Sequence, residues 1–197
     1  MFSAITGTKA GEKAGDFTLE ALVAAAQSGD EAAFSQLYDL LFDRLWRYVS
    51  FRVDGAEVED LVSEIWLKIV QNMKKYKVQS GATFSSWAFR IAHNIVIDFY
   101  RKKKEVLGVD TDENEFFAQL ADAERTPDEV ALKASEYEQL HAALLKLKPD
   151  HREILQLKFL EGFSNKEIAA ITKRTEGNVR ILQLRALREI RTFFSEI

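Results

Sequence analysis

The sequence predicts an all-α protein made of two small helical domains on a flexible acidic linker, a four-helix bundle followed by a helix-turn-helix unit. Three observations lead there. Apolar residues recur every three or four positions through most of the chain, the period of an amphipathic helix rather than of a strand. Capping signals punctuate that pattern at helix-length intervals. Between the two periodic stretches, residues 105–131 hold nine carboxylates against one Arg125 and one Pro127, with little periodicity beyond Phe116, Phe117 and Leu120.

Residues 1–18, with Gly7, Gly11 and Gly15 among scattered polar residues, read as a disordered leader. Helical signals begin at Leu19. Gly29 followed by Asp30 reads as the end of one helix and the N-cap of the next, which carries Phe34, Leu37, Tyr38, Leu41, Leu45 and Tyr48 and ends near Val53. A third helix over about 57–74 places Val58, Leu61, Val62, Ile65, Ile69 and Met73 on its core stripe. After the polar stretch 77–81, a fourth helix over about 84–104 buries Phe84, Ala88, Ile91, Ile95 and Phe99. Four helices with short joints make one bundle over 19–104.

Residues 105–134 form the linker, and the second unit occupies 135–197. Leu140, Leu144, Leu145 and Leu147 lead to Pro149, after which Asp150 is expected as an N-cap with Glu153 completing a capping box. Gly162 ends that helix. Ser164 and Glu167 open a short helix with Ile168, Ala169 and Ile171 inside, and Thr175 caps the last one, whose buried stripe is Val179, Leu182, Ala186, Ile190 and Phe193. Two helices on a short turn, the second rich in arginine, form the helix-turn-helix pattern.

Composition narrows the function classes. The chain has no cysteine, so disulfides, thiolate nucleophiles and cysteine-ligated metals are excluded, and its three histidines do not share a helical face at ligand spacing. No glycine-rich phosphate loop is present, and no histidine falls between a nucleophile and an acid, so neither an enzyme nor a cofactor is indicated. With no apolar run long enough to span a bilayer and no signal peptide, the expected location is the cytoplasm. The net charge of −4 is low for a nucleic-acid binder, but its distribution is uneven. Arg101, Lys102, Lys103 and Lys104 close the fourth helix, and Arg180, Arg185, Arg188 and Arg191 line the last.

Two sets of motifs point to a known family. The first is Asp60-Leu61-Val62-Ser63-Glu64-Ile65-Trp66 with Phe84-Ser85-Ser86-Trp87-Ala88-Phe89-Arg90-Ile91-Ala92-His93-Asn94, Asp98 and Arg101. These resemble region 2 of the extracytoplasmic-function sigma factors. The second is Leu147-Lys148-Pro149, Arg152, Glu161-Gly162-Phe163-Ser164, Lys166-Glu167-Ile168-Ala169 and Thr175-Glu176-Gly177-Asn178-Val179-Arg180, which resemble region 4 of that family. The chain departs from the pattern at Lys173, where the family usually has glycine in a left-handed turn, at Arg174, and at Leu182-Gln183. The resemblance implies a factor that binds core RNA polymerase, opens the minus-10 promoter element, reads the minus-35 element as duplex, and answers to an anti-sigma factor. A sigma-mimicking adaptor and a two-domain helix-turn-helix regulator remain as other readings.

Asp60, Glu64, Leu67 and Gln71 share the stripe opposite the core of the third helix, where two carboxylates flank an apolar side chain, and they are the candidate polymerase surface. Trp87, Arg90, Asn94 and Arg101, with Lys102 and Lys103, combine cations and a ring on the fourth helix, as single-stranded DNA requires. Tyr76 and Lys77 in the preceding loop are candidates for a pocket holding an extruded base, and Asp98 is expected to brace the neighbouring cations. On the last helix, Glu176, Asn178, Arg180 and Ile181 occupy the end that meets base edges, with Asn178 and Arg180 reading bases and Arg185 and Arg188 positioning phosphates. The acidic linker is expected to fold back on the basic domains in the free protein, giving a DNA-blocked form.

Overall fold

The computed structural model describes residues 19–53, 55–77, 82–108 and 142–195. Helix α1 (19–27) ends in a turn whose Gly29 has φ +96°, a conformation that L side chains rarely adopt. Asp30 then caps α2 (Glu31–Ser50) by accepting the Ala33 amide. Helices α3 (Gly55–Met73) and α4 (Phe84–Leu107) complete the bundle, with Thr83 as N-cap of α4 and Gly108 closing it in the left-handed region. The fourth helix thus runs three residues past the sequence expectation, because Gly108 supplies the stop.

The core of the bundle is Leu37, Leu41, Leu45, Val62, Ile65, Ile69, Phe84 and Ala88, all at or near zero exposure. Two expectations need correction. Tyr38, counted with the buried stripe of α2, is exposed, because Ala33, Leu37, Leu41, Leu45 and Val49 already fill the face turned to α3 and α4. On α4, Ile91 and Phe99 are only half-buried, while Phe89, Ala92 and Val96 are buried on a second face. A second partner covers that face.

The partner is the C-terminal unit. It comprises α5 (described over 142–146), α6 (Pro149–Leu155) continuing into a π-helical turn (Gln156–Leu160), α7 (Asn165–Thr172) and α8 (Glu176–Ser195). Asp150 is not the N-cap of α6. Lys148 holds that position without a side-chain bond, and Pro149 opens the helix, its fixed φ and missing N–H suiting the first turn. Asp150 instead pairs with Arg174 at 2.8 Å. The Ser164–Glu167 capping box is present, and Thr175 Oγ1 accepts the Asn178 amide at 3.2 Å. Lys173 closes α7 with φ 55° and ψ 36°, the left-handed turn that the sequence anticipated.

Domain-to-domain packing runs through buried charge. Glu153 Oε1 accepts from Tyr48 Oη at 2.6 Å and from His93 Nδ1 at 2.9 Å, and Arg52 Nη2 lies 3.1 Å away as its ion-pair partner. Burial by itself would raise the Glu153 carboxyl, but Arg52, His93 and the Tyr48 hydroxyl outweigh it and hold the group well below the usual carboxylate range. Tyr48 is pushed upward, chiefly by burial. Glu161, its side chain wholly buried, accepts from Arg44 Nε at 2.9 Å and Arg47 Nη2 at 2.6 Å. Arg152 donates to the carbonyls of Leu144, Leu145 and Leu147 and, across the interface, to Phe51 at 2.7 Å. Phe51, at the end of α2, is packed into the core of the C-terminal unit with Leu144, Leu147, Leu155 and Ala186. The closed arrangement is therefore made by direct contact between the two units. The linker proposed to hold it lies outside the described residues.

Two predictions follow from this packing. A lysine in the left-handed region costs on the order of 1 kcal/mol, so Lys173→Gly should stabilise the C-terminal unit by about 0.5–1 kcal/mol in chemical denaturation, less any entropy that glycine gains when unfolded. Because Glu153 is depressed when folded, the stability it contributes is complete above its ordinary value near 4.5 and is lost as pH falls below that. Glu153→Gln should flatten this acid limb and, by leaving Arg52 buried without its counter-charge, weaken domain docking by about 3 kcal/mol. Hydrogen exchange at Tyr48 and Gln156, followed against pH, checks both effects.

Candidate nucleic-acid interface

The loop joining α3 to α4 is held by α1. Gln27 Nε2 donates to the carbonyls of Met73 and Tyr76, both at 2.8 Å, tying α1 to the end of α3 and to the residues that follow it. Glu20 Oε1 accepts from the Phe84 amide at 2.7 Å and from Tyr76 Oη at 3.2 Å. Burial and the adjacent Glu20 push the Tyr76 hydroxyl well above its ordinary range, so it stays a neutral donor. These contacts fix the ring of Tyr76 5.0 Å from Phe84 and 5.2 Å from Trp87, centre to centre. Sequence reasoning missed Glu20 and Gln27, since a polar residue on a short amphipathic helix signals nothing until its distant partner is known.

Tyr76, Lys77, Trp87 and Arg90 do come together. With Lys75 and Ser86 they line a cavity of about 180 Å³ between the loop and the first turns of α4. Trp87 is half-buried, serving the packing and the cavity wall at once. Ala170 of α7 forms part of the same wall, and Thr83 Oγ1 donates to Glu167 Oε1 at 3.0 Å. In the closed form the C-terminal unit therefore covers one side of this cavity.

Asn94 does not join that group. It lines a separate cavity of about 390 Å³ between the two units, with Arg52, His93, Tyr100, Lys173 and Arg174. The single stripe expected along α4 is thus split, because the C-terminal unit packs across its middle. Arg101 and Lys102 are exposed further along, Arg101 braced by Asp98 at 3.0 Å as anticipated, and Lys103 Nζ lies 5.9 Å from the centre of the Phe99 ring.

On α3, Asp60, Glu64, Leu67 and Gln71 are all exposed on the outer face, Leu67 at 55%. Val70, 49% exposed, extends the apolar part of this surface. Beside it, Tyr38, Phe42 and Trp46 follow one another along α2 with ring centres 5.1 and 6.0 Å apart, leaving an open groove against Glu59, Val62 and Ser63. The i, i+4, i+8 spacing of these rings was the available signal, but only Tyr38 was singled out from the sequence, and it was read as core.

On α8 the buried residues are Val179, Leu182 and Ala186, with Ile190 and Phe193 half-buried, matching the expected stripe. Glu176, Asn178, Arg180, Ile181, Arg185 and Arg188 are all exposed. Arg180 is within 3.8 Å of Glu176, one turn back. Closure of the two units leaves this face uncovered.

Two family models match the sequence. Sigma-70 region 2 matches residues 33–106, and sigma-70 region 4 matches residues 137–190. The ECF RNA polymerase sigma factor BldN of Streptomyces coelicolor is 35% identical over 170 residues, covering 86% of this chain and 63% of BldN. The chain thus spans under two thirds of that relative's length. The ECF RNA polymerase sigma factor SigX of Bacillus subtilis is 28% identical, covering 82% of this chain and 83% of SigX. Among solved structures, CnrH in complex with the cytosolic domain of CnrY has a TM-score of 0.63 at 21% identity, covering 91% of this chain and 98% of that one. The sigma factor RpoE in complex with the anti-sigma factor NepR from Bartonella quintana has a TM-score of 0.64 at 22% identity, covering 82% and 96%. Both share the fold. With regions 2 and 4 matched in order on one chain, and falling on the two helical units described above, this protein belongs to the sigma-70 family as a member of its extracytoplasmic-function group.

Proposed function

We propose that the protein is a promoter-directing initiation factor: it binds core RNA polymerase through the outer face of α3, holds melted minus-10 DNA at the start of α4, and reads duplex minus-35 DNA with α8. The observation that carries this reading is the pairing, on one chain, of an aromatic and basic cavity with an arginine-flanked helix-turn-helix. The first suits unstacked bases and the second a major groove. Catalysis belongs to the polymerase, and the factor works beside it in the cytoplasm. Among the described residues no helix is long and apolar enough to cross a membrane. The two DNA-binding units are residues 19–104 and 135–197, and an anti-sigma factor is the inhibitory partner, as NepR is an anti-sigma factor bound to RpoE.

Such a function requires the closed form to open. Two promoter elements some 25 base pairs apart are separated by roughly 85 Å of duplex, whereas a folded chain of this size is only about 40 Å across. Separation exchanges the buried ion pairs for hydrated charges and exposes the apolar residues that the two units share, so contacts with polymerase and DNA supply the difference. Residues 109–141, if extended, reach about 110 Å. Opening also uncovers the Tyr76–Trp87 cavity.

Run-off transcription with purified core polymerase tests the proposal, and absence of promoter-specific transcripts would overturn it. Asp60→Lys with Glu64→Lys should abolish binding to core polymerase while leaving helicity and the melting temperature nearly unchanged, since both side chains face solvent. Unaltered polymerase affinity would remove this surface from the reading. Asn178→Ala or Arg180→Ala should change which upstream sequences are accepted. Arg188→Ala should instead weaken all of them and reduce the salt slope by about one, as competition binding over a salt series will measure.

A further inference from the structure

The cavity of about 390 Å³ between the two units has no part in the function proposed above. Leaving His93 aside, its walls carry four cations, Arg52, Arg152, Lys173 and Arg174, against two carboxylates, Asp150 and Glu153. Most of these charges already have partners. Glu153 has Arg52, Asp150 has Arg174 at 2.8 Å, and Arg152 donates to backbone carbonyls. Lys173 is exposed and pairs with no carboxylate among the described residues. From the first unit, Asn94 is half-buried against the same cavity, and its side-chain amide makes no hydrogen bond to the described residues. Lys173 is also the one non-glycine residue with positive φ among those described, at 55°, a conformation that glycine adopts at lower cost. Lys173 and Arg174 are the adjacent positions at which this turn departs from the region 4 pattern, so functions shared by the family do not explain them. A strained backbone that keeps an ammonium group at a cavity is accounted for if that group has something to bind.

The chemistry of the walls defines what fits. Beside the cations, the cavity is lined by Val96, Ile97 and Tyr100, whose hydroxyl already donates to the Arg52 carbonyl. Its volume falls in the range of sites for small organic molecules, about 300–1,000 Å³, and is more than a lone inorganic anion fills. A DNA duplex cannot enter a space walled by both units. We propose that this cavity binds a small phosphorylated molecule with a flat body, the chemistry of a nucleotide, its phosphate at Lys173, its body against Tyr100 and Ile97, and a polar edge at Asn94. Lys173 comes from the turn between α7 and α8, whereas Asn94, Ile97 and Tyr100 come from α4, so the complete site exists only while the units are docked. Binding therefore favours the closed form. It opposes the opening that promoter binding requires, a consequence that rests on the proposed function, although the site itself does not.

The test titrates the full-length protein, free of polymerase, with each of the four nucleoside monophosphates and with the matching nucleosides. Calorimetry reads affinity, and hydrogen exchange at the interface amides of Tyr48 and Gln156 reads docking. At least one monophosphate should bind saturably, and its nucleoside should bind at least about tenfold more weakly, the order of one charge-assisted hydrogen bond. At about ten times its Kd, that monophosphate should slow exchange about tenfold, since a ligand that needs both units shifts docking by a factor of about 1 + [L]/Kd. Lys173→Gly, which should fold at least as well as wild type, should lose at least about tenfold in affinity, whereas Lys173→Arg should keep it. Absence of saturable binding by all four, equal binding of the nucleoside, or undiminished binding by Lys173→Gly overturns the inference. So does loss of binding in Arg188→Ala instead, since the anion would then sit on the open face of α8. The bound monophosphate should also weaken formation of the promoter complex from factor, core polymerase and DNA, in wild type and not in Lys173→Gly. A monophosphate that binds and slows exchange yet leaves that complex unchanged would overturn the requirement for opening and leave the site standing.

Discussion

A carboxylate taken out of water must find positive or donating partners in the same place, or the segment carrying it cannot stay buried. Glu153 and Glu161 impose this condition on the whole molecule. Both come from the C-terminal unit, and their partners Tyr48, Arg52, His93, Arg44 and Arg47 all come from the first. Satisfying them fixes which face of α4 is covered, seats Phe51 in the other unit's core, and sets the π-helical turn that directs Gln156 and Glu161 to the same side.

The interface combines these buried charges with apolar contact, since Phe89, Ala92 and Val96 share one buried cluster with Ile154, Leu157, Phe163 and Ile168. Leu37, Ile65 and Phe84 would meet only water if exposed, whereas Glu153, Arg47 and Arg44 can be hydrated when apart. The charged pairs favour one docking geometry, while the separation that the proposed binding of two distant DNA elements requires must also expose the shared apolar cluster. Closure also acts unequally on the two candidate DNA faces. Ala170 and Glu167 stand at the Tyr76–Trp87 cavity, while the arginine face of α8 remains open.

Helix α1 shows how a short element can have long reach. It adds Leu19 and Val23 to the core, but its larger role is polar. Glu20 and Gln27 tie down the end of α3 and the start of α4, so that a loop residue, Tyr76, sits against Trp87 at a set distance. The proposed base-holding role of this cavity needs such support, because a ring free to turn would lose in entropy what it gained by stacking.

Much of the architecture was legible in the sequence because it rests on local physics. Asp30, Ser164 with Glu167, Thr175 and Lys173 declare their caps and turns within four residues, and the 3.6-residue period gives the stripes of α3 and α8 without knowledge of their neighbours. The arginines of α8 and the outer face of α3 were identified the same way, as what remains once the core stripe is assigned. Asp150 misled because a local capping pattern competed with Pro149, and the helix start went to the proline. What sequence periodicity could not supply was the second buried face of α4, the partners of Glu153 and Glu161, or the anchoring of Tyr76 by Glu20 and Gln27. Those depend on residues 49 to 117 positions apart, and a burial pattern along one helix does not say which element will cover it. Local hydrogen bonding and periodicity determined the helices and their exposed faces; only the tertiary structure, through a shared apolar cluster and the need to pair buried charge, decided how the two units meet.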